Sequence, residues 1–75
     1  MDVGRTVRVT AMPEATRIAL EQEGVVTGAV LKVERRVGLG GPLIVRLGRA
    51  RLAIARAVAG TVEVEPVPDN EGGRG

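Results

Sequence analysis

The 75-residue chain contains no cysteine, no histidine, no serine and no Phe, Tyr or Trp. Without histidine it lacks the side chain whose ordinary pKa best suits proton transfer near neutral pH, and without cysteine it lacks a thiolate nucleophile. The same two absences remove the usual ligands of zinc, copper and iron–sulfur clusters. A serine hydrolase is excluded, and the threonines have no histidine to activate them. The missing rings weaken two further readings, because base stacking on single-stranded nucleic acid and the groove for proline-rich peptides both depend on aromatics. No segment approaches the ~20 consecutive apolar residues that span a bilayer, and the N-terminal residues show no secretion signal. Together with the absence of disulfides, this makes a soluble cytoplasmic protein the expectation.

What is present is 44% hydrophobic and 27% charged, a globular composition whose core must be built from Val, Leu, Ile and Ala. A chain of this length forms one domain, and such a core rarely supplies more than roughly 3–5 kcal/mol. A partner or a homo-oligomer is therefore expected to add stability. The formal charge of +2 is a mild basic bias, suited to an acidic protein surface or a phosphate backbone.

Thr6-Val7-Arg8-Val9-Thr10 alternates polar and apolar residues, which predicts a first half-buried strand. Pro13 and Glu14 then suit the first turn of a short helix. Ala11, Ala15, Ile18, Ala19 and Gln22 recur at helical spacing, and Gly24 supplies the stop. From Gly28 a long second strand is expected, with Leu31, Val33 and Val37 on one face and Lys32, Glu34 and Arg36 on the other. Gly38-Leu39-Gly40-Gly41-Pro42 predicts a hairpin loop rather than a phosphate-binding loop, since no Lys-Ser or Lys-Thr follows it. Leu43, Val45 and Leu47 form the returning strand, and Gly48-Arg49-Ala50 turns into a fourth strand carrying Leu52 and Ile54. Residues 55–60 predict a single 3₁₀ turn, and Thr61–Glu65 alternates again as a fifth strand. The fold expected is mostly β: a small, closed barrel of about five strands with one short helix between the first two. It would occupy residues 1–65, with a disordered tail over 66–75.

The ordered set Val7-x-Val9, Leu20, Gly24-Val25-Val26-Thr27-Gly28, Leu31-x-Val33, Gly40-Gly41-Pro42, Ile44-Val45, Gly48, Leu52-Ala53-Ile54, Ala59 and Val62-x-Val64 resembles the FeoA family over almost all of the chain up to Glu65. It departs from that pattern at Ala19, Glu23 and Thr27, where the family commonly has Arg, Leu and Pro. The resemblance implies an SH3-like barrel that enzymatically does nothing and serves ferrous iron transport as a cytoplasmic accessory protein. It implies a membrane iron permease as partner, bound through the permease's G-protein domain or cytoplasmic face, with the chain peripheral to the inner membrane. The same barrel resembles the C-terminal domain of DtxR-type metal-dependent repressors, whose helix-turn-helix portion has no counterpart here.

Arg35, Arg36, Arg46, Arg49 and Arg51 are the expected partner-binding residues, with Lys32 and Arg56 nearby in sequence. Gly24, Gly28, Gly41 and Pro42 are expected to be structural. Glu63 and Glu65 share one strand face and are the weak candidates for a hard metal ion, though solvated surface charge is their more ordinary role. No cofactor and no small-molecule substrate are expected. The alternative function is nucleic-acid binding by a small basic barrel, which would weaken steeply with salt.

Overall fold

The computed structural model describes residues 1–68. Five strands, β1 (Thr6–Ala11), β2 (Val30–Arg36), β3 (Leu43–Leu47), β4 (Ala50–Ile54) and β5 (Glu63–Pro66), form one antiparallel sheet in the order β4-β3-β2-β1-β5. Helix α1 (Glu14–Glu21) joins β1 to β2, and the single helical turn α2 (Arg56–Ala59) joins β4 to β5. The inward residues are the ones the alternation picks out. Val7, Val9, Leu31, Val33, Leu43, Val45 and Ile54 are buried together with Leu20, Val25 and Val62. The expected mostly β architecture is present, with β4 and β5 as the two ends of the hydrogen-bonded order: four ladders join the strands, and among the described residues no fifth ladder closes the ring.

Helix α1 leaves Pro13 outside its first turn, in extended conformation, with the Pro13 carbonyl accepting from Arg17 N–H at 2.9 Å. Its buried residues are Thr16 and Leu20, not the Ala15, Ile18 and Ala19 set; Ile18 is 53% exposed. The helix closes as a Schellman motif, with Gly24 N–H donating to Glu21 O and Val25 N–H to Leu20 O. Gly24 holds the positive φ of +90° this requires, and Leu20 and Val25 supply the apolar contact that accompanies it. The next turn has Ala29 N–H on Val26 O and Gly28 at φ +96°, the geometry of a type II turn. Thr27 occupies its second position, where proline is favoured. Thr27→Pro is expected to stabilise the domain by about 0.4–1 kcal/mol through the unfolded state, which urea denaturation measures.

The main surprise lies in β2. Val33 pairs with Val45, but Arg35 pairs with Ile44, so Glu34 is the extra residue of a β-bulge. Past a bulge the inside and outside positions exchange. Arg36, expected to point away from the core, sits opposite Leu43 on the core side, and Val37, expected inside, is 40% exposed.

Residues 55–60 form an α turn rather than the expected 3₁₀ turn, because Ala59 N–H reaches Ala55 O and Gly60 N–H reaches Arg56 O. A hydroxyl relay fastens this turn to α1. Thr61 Oγ1 donates to Val58 O at 2.8 Å, so its one proton is spent, and Thr16 Oγ1 donates to Thr61 Oγ1 at 2.7 Å. Thr61→Val would strand the buried Thr16 hydroxyl and should cost about 1–3 kcal/mol. The Thr16→Val/Thr61→Val pair should cost clearly less than the sum of the singles in a denaturation cycle.

At the C-terminal end, Pro66 belongs to β5 opposite Val7, and Val67 N–H donates to Thr6 O at 2.8 Å. The ladder thus runs past the boundary expected at Glu65. Of the tail expected over 66–75, residues 69–75 lie outside the described residues.

Candidate protein-interaction surface

Opposite the core, cross-strand register sets Thr6, Lys32, Arg46 and Arg51 in one row across β1, β2, β3 and β4. Alternation alone places these side chains outward, since Val7, Leu31, Val33 and Val45 take the inner positions. Arg35, beyond the bulge and opposite Ile44, lies on the same face. Arg49 stands exposed in the two-residue turn between β3 and β4, which opens with Gly48 at φ +61° in the manner of a type II′ turn. The sheet therefore brings Arg35, Arg46 and Arg51 together, sets Arg49 at their margin, and separates Arg36 from them on its other side.

Glu34 is the centre of this face, a role the sequence pattern does not reveal. The bulge turns its carboxylate between two guanidinium groups, with Arg46 Nε at 3.0 Å from Oε2 and Arg51 Nε at 2.8 Å from Oε1. The hydrogen bond from Arg51 is the largest influence on it and, with the charges of both arginines, holds the Glu34 carboxyl below its ordinary pKa of 4.5 against the opposing effect of burial. A folded-state pKa below the unfolded one means the contribution is complete above the unfolded value and vanishes as pH falls through the folded one. An NMR pH titration should place Glu34 below 4.5, and Arg51→Gln should raise it more than Arg46→Gln does.

Glu63 and Glu65 are both exposed. Glu65 Oε2 accepts a hydrogen bond from Arg8 Nη1 at 3.0 Å, across the register that pairs those two residues. Among the described residues, no group of three or more acidic, His or Cys side chains converges as a metal site would require. Arg17 is likewise engaged, with Glu14 and Glu21 on its own helix. Arg5, Arg35, Arg36, Arg49 and Arg56, by contrast, carry no ion pair with a described carboxylate. The hairpin glycines act as the sequence suggests: Gly38 and Gly40 take φ of +61° and +75°, and Val37 N–H donates to Pro42 O across the neck of the loop. Among the described residues, no helix is long and apolar enough to cross a membrane.

No curated protein sequence matches the chain. Solved structures do. The crystal structure of an iron uptake regulatory protein, FeoA, is 29% identical, with coverage of 89% of each chain and a TM-score of 0.77. The FeoA protein of Chlorobium tepidum is 32% identical over 96% of this chain and 70% of its own, with a TM-score of 0.80. The zinc-complexed FeoA of Stenotrophomonas maltophilia, described as an SH3 domain protein, is 24% identical over 87% of this chain and 84% of its own, at a TM-score of 0.64, which speaks for the shared SH3-like fold. The family model of the FeoA domain matches residues 1–66, the whole of the sheet and both helices, and the chain belongs to the FeoA family.

Proposed function

We propose that this chain is a non-enzymatic accessory module of ferrous iron transport that binds the membrane iron permease, through its G-protein domain or cytoplasmic face, and is held at the inner membrane by that contact. Membership of the FeoA family gives the setting, an accessory or related regulator of iron transport. The observation that carries the finer reading is the distribution of charge on a fold with no catalytic set. Five arginines, Arg5, Arg35, Arg36, Arg49 and Arg56, lack a described carboxylate partner, whereas Arg8, Arg17, Arg46 and Arg51 are each held on one. Surplus positive charge of this kind favours an acidic protein surface and raises the rate of encounter with it.

Affinity capture on the tagged chain tests this reading. The solubilised permease, or its isolated G-protein domain, should be retained at low salt and released as salt rises. Retention of neither, in both guanine nucleotide states, would rule out the permease as partner.

A further inference from the structure

The bulge at Glu34 puts Arg36 on a side of the sheet that strict alternation would not give it, opposite Leu43. Between the β2–β3 hairpin and α2 lies an open depression of about 190 Å³, lined by Met1, Arg36, Leu43, Arg56, Ala59 and Gly60. Leu43 is buried beneath it and Ala59 half-buried, so the floor is apolar. One arginine stands on each wall. Arg36 comes from the end of β2, directly opposite Leu43, and Arg56 opens α2. Arg56 also lies against the hairpin loop, since a Cβ placed on Gly40 would stand 3.2 Å from its Nη1.

The pairing of the other arginines shows what is unusual here. Arg8, Arg17, Arg46 and Arg51 each face a carboxylate within the chain. Arg36 and Arg56 share one depression and have no such partner among the described residues. Arg5, Arg35 and Arg49 lack one too, but they are not among the residues lining the depression. Two like charges over an apolar floor repel each other and attract an anion, and planar guanidinium groups match a carboxylate in shape as well as in charge. The volume is below the usual range of small-molecule pockets and fits one or two side chains. The apolar floor disfavours a fully hydrated ion and favours an aliphatic neighbour to the charge.

We propose that this cleft docks an acidic segment of a partner protein, with a Glu or Asp carboxylate held between Arg36 and Arg56 and an adjacent aliphatic side chain set on Leu43 and Ala59. The inference rests on the interaction-module reading and narrows it from the arginines without a described carboxylate partner to the two that share one cleft.

The test is an NMR titration of the intact chain with the acetylated, amidated peptide Leu-Glu-Glu-Leu, run beside inorganic phosphate. Amides of Ala59 and Gly60 and the side chains of Arg36 and Arg56 should shift saturably at millimolar peptide. In R36Q/R56Q the dissociation constant should rise about tenfold or more, a loss in keeping with two charge-assisted contacts. In R17Q, whose side chain pairs only within α1 and does not line the cleft, it should change by less than about twofold. Both altered positions in R36Q/R56Q are exposed, and R56Q alone gives the same direction should the double variant fail to fold. Absence of a saturable shift, an equal response to phosphate, or a loss of binding in R17Q as large as in R36Q/R56Q would overturn the proposal. So would cleft shifts that follow protein concentration without peptide, which would mean that a second copy covers the site. Capture of the permease is a separate measurement, so either reading can fail while the other stands.

Discussion

Leu31→Ala is expected to leave the domain mostly unfolded at room temperature. Leu31 is 0% exposed and sits mid-sheet on β2, opposite Val7 on β1 and with β3 on its other side. Truncating a buried leucine costs about 2–5 kcal/mol, the lost burial and the residual cavity together. A core of this size rarely supplies more than about 3–5 kcal/mol in total. Its ladder partner Val7 is short, β-branched and fixed in the sheet, so it collapses poorly into the space. Urea denaturation should show no native baseline for Leu31→Ala, whereas Leu31→Met should lose less than about 1.5 kcal/mol. A cooperative Leu31→Ala transition weakened by under about 1 kcal/mol would mean that the core is wrongly placed.

The second large effect is expected at Gly41. A Cβ there would collide with the Val37 carbonyl, whose neighbouring N–H closes the hairpin neck on Pro42. The obstacle is backbone, which cannot rotate aside as a flexible side chain does. Gly41→Ala must therefore break the Val37–Pro42 hydrogen bond or move the whole loop, at a cost of about 3 kcal/mol or more when lost bond and strain combine. Gly38→Ala makes the informative comparison. Gly38 has φ +61° and open space around its Cα, so alanine pays only the left-handed strain of about 1–2 kcal/mol. Equal losses at the two positions would show that the close approach at Gly41 is not a constraint.

Much of this architecture is legible in the residues because the physics is local. Alternation at Val7, Val9, Leu31, Val33, Val62 and Val64 marks strands with one buried side, and the positive φ of Gly24 and Gly48 falls where the sequence calls for a helix stop and a turn, whereas Gly28, expected to open β2, lies in the turn before it. What resisted reading depends on contacts distant in sequence. The bulge at Glu34 reflects how β2 must pair with β3, and nothing in Val30–Arg36 announces that one residue will stand outside the ladder. Its consequence reaches the surface, for it sends Arg36 to the cleft side and leaves Glu34 to gather Arg46 and Arg51.

The helix shows a similar limit. Ile18 and Ala19 are more apolar than Thr16, yet Thr16 takes the buried position because the hydroxyl of Thr61, forty-five residues later, accepts its proton. Among the candidate surface residues, the basic character of β2 to β4 was visible, whereas the partnering of each arginine was not. Arg56 gained its place from the fold of α2 against the hairpin loop.

The decisive measurement is equilibrium binding of the intact chain to purified ferrous iron permease as salt is varied, with R36Q/R56Q alongside the wild type. The account predicts saturable binding at low salt that weakens as ionic strength rises and is at least about tenfold poorer in the double variant. A chain that gives a well-dispersed NMR spectrum yet shows no binding to the permease at low salt would contradict it.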